Sequence, residues 1–160
     1  MTAVVASEGV HLGVSMFLSA KAEYASLAML ELAVQYGDPR PVRLADLADK
    51  HGIPQRFLVQ ILLQLKGAGL VSSVRGASGG YQLARPPEEI SLADVLGVID
   101  RADAPVAKNN RPTNRDGEVS ALAASLHTVW DAIQESRSAI LRRTTLAVLV
   151  ETGQGLQYVI

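Results

Sequence analysis

The chain has 160 residues, 48% of them hydrophobic and only 4% aromatic, enough to bury one mostly aliphatic core with or without an appendage. It holds no cysteine, which removes disulfides, thiolate-bound zinc, thiol nucleophiles and clusters held on sulfur. The net charge of −1 excludes a uniformly basic nucleic-acid binder and leaves room for a locally basic one.

Residues 1–15 show no hydrophobic period and read as an N-terminal tail. The first Lys or Arg is Lys21, behind the only early apolar stretch, so a secretory leader with its positive start is not expected. That stretch also falls short of the roughly 20 apolar residues a spanning helix requires. The expected setting is the cytoplasm, with no membrane association. From Ser19 to Tyr36 the sequence is rich in helix formers, with Ser19 as cap and Gly37 with Pro39 as stop. A short amphipathic helix follows, with Leu44, Leu47 and Ala48 on one face and Gly52 at its end. Arg43 is a poor cap for it, partly offset by Asp46 in the first turn.

Pro54 suits the first position of the next helix, which Gly67 and Gly69 end. Leu58, Ile61, Leu62 and Leu65 recur at i, i+3, i+4 and i+7, which leaves Arg56 and Gln60 on the opposite side one turn apart. The period then changes to alternation. Leu70–Val74 and Tyr81–Ala84 predict a β-hairpin across the glycine-loaded turn RGASGG, and Arg85-Pro86-Pro87 ends it. Ser91 with Asp94 resembles a capping box for a helix through about Asp100.

Residues 102–117 are rich in Pro and Asn and read as a linker or mobile loop. Beyond them, residues 118–150 predict one long helix. Val119, Leu122, Leu126, Val129 and Ile133 form its stripe, continued by Ile140, Thr144 and Val148. Such a helix is roughly 45–50 Å long, too long for the preceding domain to cover, so a second copy of the chain is the expected cover. Residues 151–160 read as a C-terminal tail.

Helix, short helix, tight turn, second helix and glycine-rich hairpin follow one another in the order of a winged helix-turn-helix. The fold class expected is therefore mainly α: a winged helix-turn-helix over 16–101 with a two-stranded wing and a long C-terminal dimerisation helix. A major groove about 12 Å wide admits one helix with an apolar inner face and a polar outer face. The helix from Pro54 has both. Arg75 beside Gly76, Gly79 and Gly80 places a cation on a thin backbone, and narrow minor grooves attract arginine. Charge is distributed accordingly. Residues 16–85 hold eight Lys and Arg against five Asp and Glu, whereas residues 86–160 hold seven against ten.

The segments MFLSAKAEYASLAMLELA, PVRLADLADKHGIPQRFLVQILLQLKGAGLVSSVRGASGGYQLARPPEEISLADVL and TVW…RTTLAVL together resemble the Rrf-two family of transcription regulators, over about residues 16–150. The resemblance implies a homodimer with crossing C-terminal helices, bound to double-stranded DNA with a two-fold-related operator. It implies that Pro54, Gln55, Arg56, Phe57, Val59 and Gln60 begin the reading helix. It also implies that Arg75, with Gly76, Gly79 and Gly80, forms the wing contact, and that Ser19, Lys21 and Tyr24 lie near backbone phosphate.

Two departures bear on function. Val59 stands where many relatives carry an acidic residue, so base preference is expected to differ. Cluster-binding relatives place three cysteines within 100–120 and this chain has none, so no iron–sulfur cofactor is expected. His11, His51 and His127 show no ligand spacing, and no metal is expected. Trp130 could line an effector pocket beside the linker, although a tryptophan at such a position is more often packing. A small molecule or a protein partner could be the effector. A protein-partner-controlled regulator, or an interaction module that kept the fold but not DNA binding, is the alternative. An enzyme is remote, since no nucleophile–base or metal constellation can be assembled.

Overall fold

Ser19 opens the first helix by accepting the Ala22 N–H on its hydroxyl at 3.1 Å. In the computed structural model, which describes residues 18–103, 113 and 116–157, helix α1 spans Ala20–Val34. Its buried face is built largely of small residues, Ala22, Ala25 and Ala28, with Met29 and Leu32 below them. Small side chains let neighbouring backbones approach closely, and α1 becomes the central helix against which four others pack.

Helix α2 spans Leu44–His51 and α3 spans Gln55–Gly67. Strands β1 (Val71–Val74) and β2 (Gly80–Leu83) pair antiparallel, with Val71 opposite Leu83 and Val74 opposite Gly80. A 3-10 turn at Pro87–Glu89 leads to α4, Leu92–Asp103. The capping box before α4 is reciprocal: the Asp94 N–H donates to the Ser91 hydroxyl at 3.2 Å and the Ser91 N–H donates to the Asp94 carboxylate at 2.9 Å. Then come α5, Ala121–Arg143, and α6, Leu146–Gln157.

The core is one aliphatic cluster. Met29 and Leu32 of α1, Leu47 of α2, Leu58, Ile61, Leu62 and Leu65 of α3, Val95 and Ile99 of α4, and Leu146 of α6 are all fully buried in it. Ile90, between the hairpin and α4, is buried with them.

The structure corrects three expectations. A single dimerisation helix over 118–150 followed by a tail is replaced by α5 and α6, separated at Thr144, whose ψ of 102° is extended. The cause is tertiary. The Leu92 N–H donates to the Thr144 carbonyl and the Leu146 N–H donates to the Ile90 carbonyl, both at 2.9 Å, and this short pairing turns the chain so that Leu146 enters the core. Helix α6 then packs on α1. Pro54, expected inside α3, is its N-cap with ψ of 126°, and its carbonyl accepts from the Phe57 and Leu58 N–H groups. The strands begin at Val71 and Gly80 rather than at Leu70 and Tyr81. The proposed tail 1–15 lies outside the described residues, as does most of the linker 102–117.

Candidate nucleic-acid interface

The turn between α2 and α3 is set by two residues. Gly52 takes φ of +62°, the left-handed conformation that ends α2. Ile53 is buried, and its N–H donates to the Ala48 carbonyl at 2.9 Å, which anchors the turn to α2. From there α3 is held by Leu58, Ile61, Leu62 and Leu65, and its other face is open. Gln55, Arg56, Phe57, Gln60 and Leu63 are exposed and Val59 is half-buried. The Arg56 guanidinium lies over the Phe57 ring, 4.9 Å from its centre. This cation–π contact biases a long side chain to the N-terminal end of α3.

The wing is tied to α3 and to the strand-like segment before α2. Lys66, in the last turn of α3, donates to the Ser73 hydroxyl on β1 at 2.6 Å. Val42 and Tyr81 exchange backbone hydrogen bonds at 2.9 and 2.8 Å, so Val42 acts as a one-residue third strand beside β2. Arg75 and Gly76 are exposed at the tip, where Gly76 has φ of +112°. Gly79 and Gly80 are half-buried. A Cβ at Gly79 would overlap the Val74 carbonyl oxygen, and one at Gly80 would overlap the Val42 carbonyl oxygen. These two glycines are thus required by close backbone packing within the wing, an internal reason beside the one read from the sequence.

On α1, Ser19 is exposed and engaged in capping, Lys21 is half-buried, and Tyr24 packs on the edge of the core. Behind α2 lies a charged contact that sequence patterning did not disclose. Glu31 of α1 is largely buried, and its carboxylate accepts from Lys50 Nζ at 2.8 Å and meets His51 Nε2 at 3.3 Å. Burial alone would raise the Glu31 pKa. The Lys50 hydrogen bond and charge, with His51, outweigh burial and hold the carboxyl below its ordinary value. Lys50 is thereby committed to α1. Asp38 and Arg40 pair at 2.8 Å in the loop ahead of α2, and this hydrogen bonding lowers the Asp38 pKa to about 2.

The expected dimer stripe stands open. No residue of α5 is buried; Leu122 is 85% and Leu126 64% exposed, with Val119, Val129, Ile133 and Ile140 exposed beside them. Trp130 is exposed among them, and the loop with which it was expected to form a pocket lies largely outside the described residues. Of the features missed from sequence, the Lys66–Ser73 and Val42–Tyr81 contacts had a faint signal in the alternation around the hairpin. The Glu31 contact had none, because its partners are 19 and 20 residues away.

A reading helix open on one side, with a glycine hairpin fastened to its last turn, is what a winged helix-turn-helix protein presents to DNA. Comparison with known proteins narrows the class. The Rrf2 family profile, described as an iron-dependent transcriptional regulator, matches residues 18–152. A candidate HTH-type transcriptional regulator of Mycobacterium tuberculosis, Rv1287, is 46% identical over 132 residues, 82% of this chain and 80% of that one. The HTH-type transcriptional regulator IscR of Serratia proteamaculans is 36% identical over 136 residues, 84% of this chain and 79% of that one. Among solved structures, IscR of T. potens superposes with a TM-score of 0.72 at 31% identity, covering 91% of this chain and 93% of that one. CymR, the global cysteine regulator of B. subtilis, gives 0.69 at 29% identity, covering 86% and 98%. The chain belongs to the Rrf2 family of transcription regulators.

Proposed function

We propose that the protein is a cytoplasmic, sequence-specific regulator that binds a two-fold-related operator as a homodimer, performs no catalysis and carries no iron–sulfur cluster. The observation that carries this reading is the open face of α3, where Arg56 and Gln60 stand one turn apart beside a wing ending in Arg75. Arg56 presents a fork suited to guanine O6 and N7, and Gln60 can contact the next base pair. Arg75 enters the minor groove at the wing tip. Ser19, Lys21 and Tyr24 lie on the first turns of α1, where a backbone phosphate would be met. The exposed α5 stripe supports a second copy as its cover, and two copies place two α3 helices on half-sites about one helical turn apart. The residues do not fit a cluster, since the chain offers no thiolate. Among the described residues no group of three His, Asp or Glu is gathered to replace it. A randomised duplex library selected by the purified protein tests the reading. Recovery of a symmetric half-site pair is expected, and a protein that stays a monomer and enriches no sequence would overturn it.

A further inference from the structure

An open cleft of about 720 Å³ lies on the body of the protein where the base of the wing meets α4 and α5. Three arginines from three elements line it: Arg85 just after β2, Arg101 near the end of α4 and Arg142 in the last turn of α5. Asp94 is the one acid in that lining, and its carboxylate already accepts both the Ser91 N–H and the Ser91 hydroxyl at 2.9 Å. Arg101 Nε donates to the Gly97 carbonyl at 3.1 Å, which pins its stem along α4. Arg142 pairs with Glu135 at 2.8 Å, but both side chains are exposed, and such pairs are weak and readily exchanged.

Arg85 differs from both. Its Nε is buried and has no hydrogen-bond partner among the described residues. A buried guanidinium N–H calls for an acceptor, which protein, water or a bound ligand can supply. Guanidinium groups match oxyanions through paired N–H donors, and three of them against two carboxylates, Asp94 held by Ser91 and Glu135 on the exposed side of Arg142, leave the cleft with an excess of positive charge.

We propose that this cleft binds a small oxyanion, the phosphate or carboxylate group of an effector molecule, held by Arg85 with Arg101 and Arg142. Its position favours a free ligand over the DNA backbone. The hairpin has four residues per strand, which at about 3.3 Å per residue sets the cleft roughly 13 Å back from the Arg75 turn. A ligand gripped there would join the base of the wing to the end of α5, so that its binding alters how the wing is carried by the exposed helix. Anion binding is read directly and needs no DNA, so its failure is separable from failure of the proposed operator recognition.

The experiment is calorimetric titration of the full chain with pyrophosphate and with citrate at constant ionic strength set by chloride, repeated on Arg85→Gln and Arg142→Gln. Saturable binding of at least one probe is expected, about tenfold or more weaker in Arg85→Gln and weakened less in Arg142→Gln. Circular dichroism checks that both variants fold, and the exposed Arg142 supplies the second variant if Arg85→Gln does not. Arg75→Ala should leave anion affinity unchanged. Absence of saturation with both probes, or equal affinity in the variants, overturns the proposal. So does a result in which the two variants lose only duplex DNA affinity, since the arginines would then be contacts to backbone phosphate.

Discussion

Helices α3 and α5 both carry apolar residues at helical spacing, and the structure treats them oppositely. Helix α3 spends its stripe inside the chain: Leu58, Ile61, Leu62 and Leu65 are all fully buried. Helix α5 is 23 residues long and buries none of them. A stripe facing α1 and α4 stabilises the fold and leaves the opposite face exposed. A stripe with no facing element among the described residues is an exposed apolar surface of the kind used in association. The contrast teaches that periodicity identifies which residues seek cover, while contacts distant in sequence decide whether that cover is the chain itself.

Truncating one residue in each stripe separates the two roles. Leu62→Ala should destabilise the fold by about 2–5 kcal/mol, since it opens a cavity in a closed core. Leu126→Ala should chiefly alter the concentration dependence of unfolding. Denaturant titrations at two protein concentrations separate the two outcomes.

Charge on the open stripe should have an effect of similar size, on association. The double change Leu126→Asp and Val129→Asp should give folded monomers, with operator affinity reduced by roughly 10²–10⁴-fold as two linked half-site contacts become independent. Sedimentation with a parallel operator-binding assay measures both. A variant that remains dimeric would place the interface elsewhere.

The open face of α3 and the wing should fail in different ways. Arg75→Ala should cost about 1–3 kcal/mol on most sequences and lower the salt slope by about one counterion. Arg56→Ala should instead relax preference at one position of each half-site, which a binding profile on a randomised operator resolves.

The smallest effect belongs to the buried contact behind α2. The Glu31 pKa is lowered in the folded protein, so its ionised form adds stability in full above its ordinary value of about 4.5. That stability is lost as pH falls through the lowered value. Urea unfolding between about pH 3 and 7 should therefore show a shallower acid decline for Glu31→Gln than for the unmodified chain. Equal slopes would mean that Lys50 and His51 do not hold the carboxylate in solution.

Much of the α2–α3 turn and of the hairpin was legible because its signals are local. Ser19 caps α1, Gly52 ends α2, and the four-residue stripe of α3 sets its inner and outer faces within one element. RGASGG marked the wing turn because glycine spacing and alternation both operate over a few residues. Less legible was why Gly79 and Gly80 are glycines: the overlapping atoms belong to Val74 and, for Gly80, to Val42, nearly 40 residues earlier.

The order of helices and hairpin, the inner and outer faces of α3 and the apolar stripe of α5 could all be read from the sequence alone. These follow from periodicity and capping, which operate over one or two turns. The break at Thr144, the return of α6 to α1 and the joining of Glu31 to Lys50 and His51 depend instead on contacts distant in sequence. Residues 118–150 are locally competent to form one helix. Pairing of Ile90 and Leu92 with Thr144 and Leu146 brings Leu146 into the core, and burial there outweighs the local preference to continue. No window of sequence that contains only residues 118–150 includes the partners that make the turn.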